Sequence, residues 1–454
     1  MSSPFTPNTE EHRKKMLATI GMDSVEDLFK DIPEKVRNPN LNLPKAMSEL
    51  DLRAYASELS SRNVSAGEYT SFLGAGSYWH HIPAVVSSIA SRGEFMTAYT
   101  PYQPEVSQGT LQVAYEFQSM ICQLTGMDVA NAGMYDGSTS LAEAALMACR
   151  VTRRNKVAIL NSTSPLYTDV LDTYVQAPGI DLEIVEEGHM TLGDEIACLI
   201  VQQPNFFGYL EDMQNLANIA HDAGALLVVS VDPVSLGMFN PPSDYGADIV
   251  VAEGQGIGVP MSYGGPYVGI FACRQEFVRQ MPGRIVGKTL DTQGKEAYVL
   301  TLQAREQHIR REHATSNICT SVALISLMMT VYLACMGKQG MRKVAELCYH
   351  KAHYAASLIS AIPGFSIVEY GTGIFFREFT VRCPVPPKEV NQSLLEKGII
   401  GGLDVSEYSE NGLLLCVTEM NSHEDIENLS DALRAVSYTH LRAHETDSYL
   451  VCRL

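Results

Sequence analysis

Positive charge is scarce in this sequence. Lys and Arg total 33 of 454 residues against 52 Asp and Glu, which gives a formal net charge of −19. This balance argues against a nucleic-acid partner, whose phosphates would repel the chain. It also argues against binding to an anionic membrane surface. Any anionic ligand must therefore be held by local donors.

Paired cysteines and a long apolar run are also missing. Ten cysteines are scattered from Cys122 to Cys452 without a CxxC pair, which predicts reduced thiols in a cytoplasmic protein and no disulfide framework or metal site. The amino terminus lacks the apolar segment of a signal peptide. The longest apolar run, Ser321–Gly337, is marginal for a membrane span, and we expect a helix there that is buried in a core or in a subunit interface.

The hydrophobic content of 46 % is ample for a large core, and the pattern divides the chain into four segments. Residues 1–68 form a charged helical arm, residues 69–340 a large α/β domain, and residues 341–436 a small α+β domain. Residues 437–454 resemble translated vector sequence and are set aside as a non-native tail, with a genuine basic tail as the alternative.

Short apolar runs bounded by polar or glycine residues alternate with a helical pattern in the large domain. The runs are Lys156–Leu160, Leu182–Glu186, Ala197–Val201, Leu226–Val231, Asp248–Ala252 and Val268–Cys273. Strands of this composition are buried on both faces and are joined by helical crossovers. They predict a mostly parallel sheet covered on both sides.

Two features of this domain suit a phosphorylated aromatic cofactor. Ser138 and Thr139 stand at the head of a long helix, whose N–H groups and dipole favour phosphate, although ordinary N-capping that includes Asp136 is the alternative. Asp232 ends a strand at the sheet edge where ligands bind, and it can pair with a protonated ring nitrogen or simply cap its loop. Together they predict a pyridoxal-phosphate cradle of the aminotransferase-like class.

The lysine that such a cradle needs is absent. In that class a further strand delivers a lysine to the cofactor. Here the segment GADIVVAEGQG supplies Gln255 and Gly256, and no lysine lies between Lys156 and Lys288. A Schiff base from the usual position is excluded. A stand-alone enzyme that uses Lys288 or Lys295 is the remaining alternative.

Four longer motifs carry a resemblance to a known family. TAYTPYQPEVSQG, NAGMYDGSTSLAEA, EGQGIGVPMSYGGP and REQHIRREHATSNICT are together similar to the P-protein of the glycine cleavage system, glycine dehydrogenase (decarboxylating). The similarity is to the alpha subunit, subunit 1, of the form divided between two chains. It covers residues 69–436 and extends to the arm, and it implies the fold type I pyridoxal-phosphate transferase fold.

The resemblance also implies a reaction and its partners. Alpha and beta subunits form an α2β2 heterotetramer, and the beta subunit holds pyridoxal 5'-phosphate covalently through a lysine where this chain has Gly256. Glycine is decarboxylated, and its aminomethyl group passes to the lipoyl arm of the H-protein. This chain is then a catalytically incomplete subunit. A scaffold that only stabilises the beta subunit is the alternative.

Site residues follow from the same resemblance. The segment Ala98–Gly109 contains two prolines and is expected to be stiff, so that Tyr99 and Tyr102 are predicted to reach the shared site while Gln103 and Glu105 fix the loop. A rigid surface turn is the alternative reading of this segment.

The remaining candidates are second-rank cofactor contacts and vestigial residues of a cofactor site. Tyr78 and His80 are second-rank cofactor contacts, and Ser138, Thr139 and Asp232 are expected to be vestigial. The sequence departs from the family pattern at His313, where a lysine is expected. A histidine with a reference pKa of about 6.5 weakens any positive charge there near neutral pH.

Overall fold

A computed structural model of the chain describes residues 8–186 and 190–451, with side chains described as far as residue 438. The segment Met1–Val64 is one compact unit and Ser65–Leu454 is the other. The tail at 437–454 continues the backbone of the last helix to Val451, and residues 452–454 lie outside the described part. Its non-native origin stays a prediction.

The first unit is helical, as its sequence predicts. It contains α1 (Glu10–Ile20), α2 (Glu34–Arg37) and α3 (Glu49–Ser60). The Thr9 and Ser48 side chains accept backbone N–H bonds at the starts of α1 and α3, which are ordinary N-caps. None of the described residues in these helices is buried, so the arm has little core of its own.

The second unit contains the remaining elements. Its helices are α4 (Ala84–Ala90), α5 (Gly93–Met96), α6 (Gln108–Thr125), α7 (Gly137–Thr152), α8 (Pro165–Gln176), α9 (Met213–Asp222), α10 (Gln307–Arg310), α11 (Ala323–Ser360), α12 (Pro387–Leu395) and α13 (His423–Val451). Its strands are β1 (Thr70–Ser71), β2 (Val129–Ala130), β3 (Lys156–Leu160), β4 (Asp181–Val185), β5 (Ile196–Gln203), β6 (Leu226–Val231), β7 (Ile249–Glu253), β8 (Gly269–Cys273), β9 (Ile285–Leu290), β10 (Glu296–Thr301), β11 (Ser366–Val368), β12 (Glu378–Arg382), β13 (Ile399–Ile400), β14 (Leu403–Asp404) and β15 (Gly412–Cys416).

A seven-stranded sheet forms the centre of this unit, in the order β2-β8-β7-β6-β5-β3-β4. The strands β4, β3, β5, β6 and β7 are parallel. Strand β8 runs antiparallel to β7, and β2 runs antiparallel to β8 and therefore in the same direction as the other five. The mostly parallel sheet is therefore confirmed. Strand β8 reverses because the chain returns from β7 through a loop without the helical crossover that a parallel neighbour needs.

Helices cover both faces of this sheet. Alternate residues of β3 face opposite cores: Ala158 and Leu160 pack with α6, α9 and α11, whereas Val157 and Ile159 pack with α7 and α8. One predicted strand departs from this pattern. Strand β4 lies at the edge of the sheet and is largely exposed, so burial on both faces was wrong for it.

A second sheet, in the order β11-β12-β15-β14, builds the smaller antiparallel core. Helix α11 runs through both cores and bends at Gly337, whose φ of 57° is in the left-handed region. Its first part holds the apolar run predicted to be buried. Within the described residues, no helix is long and apolar enough to cross a membrane.

Strand β1 pairs with β13 and brings Phe72 into the smaller core. The domain boundary at residues 340 and 341 stays a prediction.

Candidate functional site

A cleft of about 700 Å³ opens where β5, β6 and β7 end. This is the edge of a parallel sheet at which ligands bind in doubly covered α/β folds. Gln202 lines it from β5, Asp232 follows β6, and Glu253 ends β7, while Tyr78 and Arg377 close it from the side of the smaller core. Four of these side chains are charged or phenolic, and Arg377 contacts both Asp232 and Tyr78.

The head of α7 is held by a carboxylate from its own chain segment. Asp136 Oδ1 accepts the backbone N–H of Thr139 at 2.8 Å and the hydroxyl of Ser138 at 2.5 Å, which makes Asp136 the N-cap. The Thr139 side chain in turn accepts the N–H of Asp136, which completes a capping box. The N-capping alternative therefore describes these residues in this chain.

A second carboxylate reaches the same helix head from the sheet. Glu253 Oε2 accepts the N–H of Gly137 at 2.9 Å, and its Oε1 accepts the N–H groups of Gln255 and Val268 at 3.0 and 3.3 Å. Burial raises the pKa of Glu253 to about 7, against the effect of these backbone donors. No local sequence pattern indicates that the Glu253 side chain turns inward to Gly137.

Asp232 is paired with a guanidinium. Arg377 Nη2 lies 2.5 Å from Asp232 Oδ2, and the guanidinium carbon lies 3.5 Å from the centre of the Tyr78 ring. Arg377 is 2 % exposed, so this ion pair and this cation–π contact are shielded from water. The Tyr78 hydroxyl donates to Glu378 at 2.7 Å, and burial raises the pKa of Glu378. The side chain of Tyr78, which was expected to contact a cofactor, is therefore bound to Arg377 and Glu378 of its own chain.

His80 belongs to the same buried network. Arg377 is a donor only, so its Nη1 at 2.6 Å identifies His80 Nε2 as an acceptor, and the ring proton at Nδ1 is donated to Glu419 at 2.7 Å. Burial opposes ionisation of Glu419, but the hydrogen bonds from His80 and from His81 N–H outweigh it and lower the pKa of Glu419. Cys348 lies near enough to His80 and Glu419 to form a group of three potential metal ligands. In this chain, however, the Nδ1 atom of His80 is hydrogen-bonded to Glu419.

The glycine-rich segment after β7 has a structural role. Gln255 is buried, accepts the N–H of Tyr78, and donates to the carbonyl oxygens of Tyr78 and Val259. Gly258 has a φ of 85°, and a Cβ there would contact the Tyr332 side chain at 2.5 Å. Gly256 borders the cleft. The position expected for a lysine is therefore an ordered turn without a reactive group.

A phosphorylated pyridine cofactor does not fit these residues. The first N–H of α7 is taken by Glu253, and a second anion there would meet the carboxylates of both Glu253 and Asp136. Asp232, which would have to face a ring nitrogen, is neutralised by Arg377. Among the described residues that line the cleft there is no lysine. The cofactor cradle that the sequence predicts is therefore closed in this chain.

The alternative lysines lie elsewhere. Lys288 is on β9 and pairs with Glu296 on the neighbouring strand β10. Neither Lys288 nor Lys295 is among the described residues that border the cleft. This geometry opposes the stand-alone reading that depends on either lysine.

The loop before α6 presents its tyrosines to solvent. Tyr99 and Tyr102 are 76 % and 57 % exposed, and the Arg284 guanidinium lies 5.5 Å from the Tyr102 ring centre. Gln103 and Glu105 are exposed, and no hydrogen bond from either side chain is found among the described residues. The loop was expected to be fixed by Gln103 and Glu105, but in this chain a different residue holds it in place.

Gln108 provides that tie, and sequence reasoning missed it. Its Nε2 donates to the carbonyl oxygens of Pro104 and Tyr298 at 2.7 and 2.9 Å, and its Oε1 accepts the Tyr298 N–H at 2.8 Å. The loop is thereby fastened to β10. Its partner strand lies 190 positions away in sequence, which is why no local pattern marked it.

Tyr99 also borders a second cleft, of about 660 Å³, between the loop, α6 and the start of α11. Arg284 lies at its wall with Leu300 and Leu327, so the cleft combines an apolar lining with one buried positive charge. Glu306 lies 3.5 Å from Arg284. Tyr99 therefore lies at a partly apolar opening, and Tyr102 lies against Arg284 in the wall of that opening.

The loop that follows His313 is held without it. His313 is exposed, and its ion-pair partner at 3.6 Å is the adjacent Glu312. Thr315 N–H donates to the Arg305 carbonyl at 3.0 Å, and the Ser316 hydroxyl donates to Glu143 at 2.8 Å. In this chain the loop therefore does not depend on a positive charge at 313.

Close packing at Gly269 sets the position of the α7 head. An added Cβ there would overlap the Asp136 carbonyl oxygen and the Ser140 hydroxyl. We expect Gly269→Ala to lower the free energy of unfolding by on the order of 2–3 kcal/mol, because backbone atoms cannot yield as a side chain would. Urea denaturation measures this. The matched control is Gly109→Ala in α6, where no heavy atom lies within 4 Å and the change should be neutral or slightly stabilising. Equal effects at both positions would contradict the packing argument.

Comparison with known proteins identifies the family. The family model described as glycine cleavage system P-protein matches residues 3–433. A probable glycine dehydrogenase (decarboxylating) subunit 1 from Thermomicrobium roseum is 52 % identical over 446 residues, covering 95 % of this chain and 99 % of that protein. A protein of the same description from Desulforamulus reducens is 49 % identical, covering 95 % and 100 %.

Solved structures agree in fold. A crystal structure of glycine decarboxylase (P-protein) of the glycine cleavage system, in inhibitor-bound form, is 43 % identical, with a TM-score of 0.88 over 96 % of this chain and 100 % of that chain. A Burkholderia pseudomallei sphingosine-1-phosphate lyase has a TM-score of 0.63 at 14 % identity over 92 % of this chain and 98 % of that chain, which shows the fold alone. The fold is fold type I of the pyridoxal-phosphate enzymes. The chain belongs to the glycine cleavage system P-protein family.

Proposed function

We propose that this chain is the alpha subunit of a heteromeric glycine dehydrogenase (decarboxylating), and that it forms an α2β2 assembly with a homologous beta subunit in the cytoplasm. The relatives are described as subunit 1, which supports a second kind of subunit. The observation that carries the proposal is a cradle without lysine, closed by Glu253 and Arg377, in a chain that matches the family model over residues 3–433.

Pyridoxal 5'-phosphate belongs to the partner in this proposal. Held covalently by the beta subunit, it supplies the electron-withdrawing ring that glycine decarboxylation requires, and the aminomethyl group then passes to the lipoyl arm of the H-protein. This chain contributes the loop with Tyr99 and Tyr102. Their exposure beside the second cleft supports a role at a subunit interface, since two tyrosines in a stiff loop can donate hydrogen bonds to a neighbouring site.

A non-catalytic scaffold is the second candidate. Its support is the closure of the first cleft by Glu253, Asp232 and Arg377, which leaves this chain no reactive group of its own there. A scaffold needs the loop only for packing. The two candidates therefore differ in what the tyrosine hydroxyls do.

Tyr102→Phe separates the two candidates. In the assembled enzyme, with glycine and H-protein, we expect kcat/KM for glycine to fall about tenfold, because one hydrogen bond worth roughly 1.4 kcal/mol is lost in the site. Steady-state CO₂ exchange measures this. Tyr55→Phe, in α3 of the arm, is the matched control and should leave the kinetics unchanged. Wild-type kinetics for Tyr102→Phe with an intact assembly would favour the scaffold.

A further inference from the structure

Two carboxylates meet at the head of α7, and only one of them is an ordinary cap. Asp136 stands at the N-cap and binds the N–H of Thr139. Glu253 comes from β7, more than a hundred positions later, and binds the N–H of Gly137. The capping box satisfies the N–H groups of Asp136 and Thr139, and it leaves the N–H of Gly137 to be satisfied by Glu253.

Glu253 uses both of its oxygens. One accepts the Gly137 N–H, and the other accepts the N–H groups of Gln255 and Val268. Three backbone donors from a helix head and the adjoining turn converging on one anion is the arrangement by which proteins bind a phosphate group. In this chain the acceptor of these three N–H groups is a carboxyl side chain.

We propose that Glu253 is a built-in substitute for a ligand phosphate, so that this chain closes a phosphate cradle with its own carboxylate. The absence of a lysine at Gly256 is then one of several changes, and a lysine introduced at this position would not by itself restore a ligand site. The inference concerns this chain's own cleft and holds whether or not the partner's site is shared.

An independent contact closes the other half of the cleft. Arg377 is brought by the smaller core onto Asp232 at 2.5 Å and covers the Tyr78 ring. A pyridine ring would have to displace this buried guanidinium to reach Asp232. We therefore expect that removal of the Glu253 side chain frees the position that a phosphate group would occupy. The position that a pyridine ring would occupy should stay closed by Arg377.

The test is a thermal-shift titration of the full chain with inorganic phosphate. We expect Glu253→Ala to melt below the wild type in phosphate-free buffer, because the Gly137, Gln255 and Val268 donors lose their acceptor. Phosphate should then raise its melting temperature in a saturable way, as a ligand that binds only the folded state does. The wild-type melting temperature should respond little.

Two further variants define specificity. Asp212→Ala removes the carboxylate that caps α9 at an exposed helix start, so it should lose stability without rescue by phosphate. Glu253→Gln removes the charge but keeps one accepting oxygen, so its response should lie between those of the wild type and Glu253→Ala. If Glu253→Ala does not fold, the comparison of Glu253→Gln with the wild type decides the proposal.

Pyridoxal 5'-phosphate serves as a second probe. Because Arg377 still covers Asp232, it should stabilise Glu253→Ala no more than inorganic phosphate does at the same concentration. A larger effect would overturn the closure of the ring position. A phosphate response of the wild type equal to that of the variants, or no response in any Glu253 variant, would overturn the phosphate substitute.

Discussion

The purified chain is expected to show no glycine-dependent CO₂ exchange above the enzyme-free background, even with added pyridoxal 5'-phosphate and H-protein. The reason is chemical. The cleft of this chain has no lysine, its helix head is taken by Glu253, and Asp232 is paired with Arg377. Addition of the beta subunit should restore exchange, with activity rising until the two chains are equimolar.

Controls make this result decisive. The beta subunit alone, at the same concentration, sets the level that this chain must exceed in the mixture. Size-exclusion chromatography of the mixture checks that the assembly has formed. Full activity from the isolated chain would overturn the assignment as an incomplete subunit, and so would a mixture no more active than the beta subunit alone.

The largest effect on stability is expected at Arg377. Arg377→Met should lower the free energy of unfolding by about 3–5 kcal/mol, because it leaves the Asp232 carboxylate and His80 Nε2 without their buried partner. The methionine retains an apolar stem, so the loss reports chiefly the guanidinium contacts. Urea denaturation followed by circular dichroism measures the change.

The exposed Arg342 provides the matched control. It pairs with Glu346 one helical turn away at 2.8 Å, and Arg342→Met should cost no more than about 0.5 kcal/mol. A double variant, Arg377→Met with Asp232→Asn, should recover part of the loss, since the unpaired buried charge is then removed. Equal costs for the two arginines, or no recovery in the double variant, would show that the Asp232 pair carries little energy.

Much of the fold follows from local sequence patterns. The apolar runs that become β3, β5, β6 and β7 are short, bounded by polar or glycine residues, and buried on both faces, which is the signature of parallel strands. The same pattern misled for β4, because its composition does not reveal that it ends the sheet. The direction of β8 was likewise hidden, since it depends on the path of the loop before it.

Only part of the candidate site could be predicted from local sequence patterns. The head of α7 and the strand end at Asp232 are local signals, and both lie at the cleft. Gln108, which fastens the tyrosine loop, and Arg377, which closes the cleft, act on residues far away in sequence. No spacing rule connects positions 232 and 377, because their contact exists only once the smaller core packs against the larger sheet.

The sequence by itself therefore determined the family motifs, the α/β alternation and the absence of a lysine between Lys156 and Lys288. It showed that a Schiff base is excluded at the usual place. Tertiary structure decided what occupies that place instead. Glu253 and Arg377 are ordinary charged residues in the sequence. They come to occupy the cleft because folding takes them out of water and brings Glu253 to the Gly137 N–H and Arg377 to the Asp232 carboxylate.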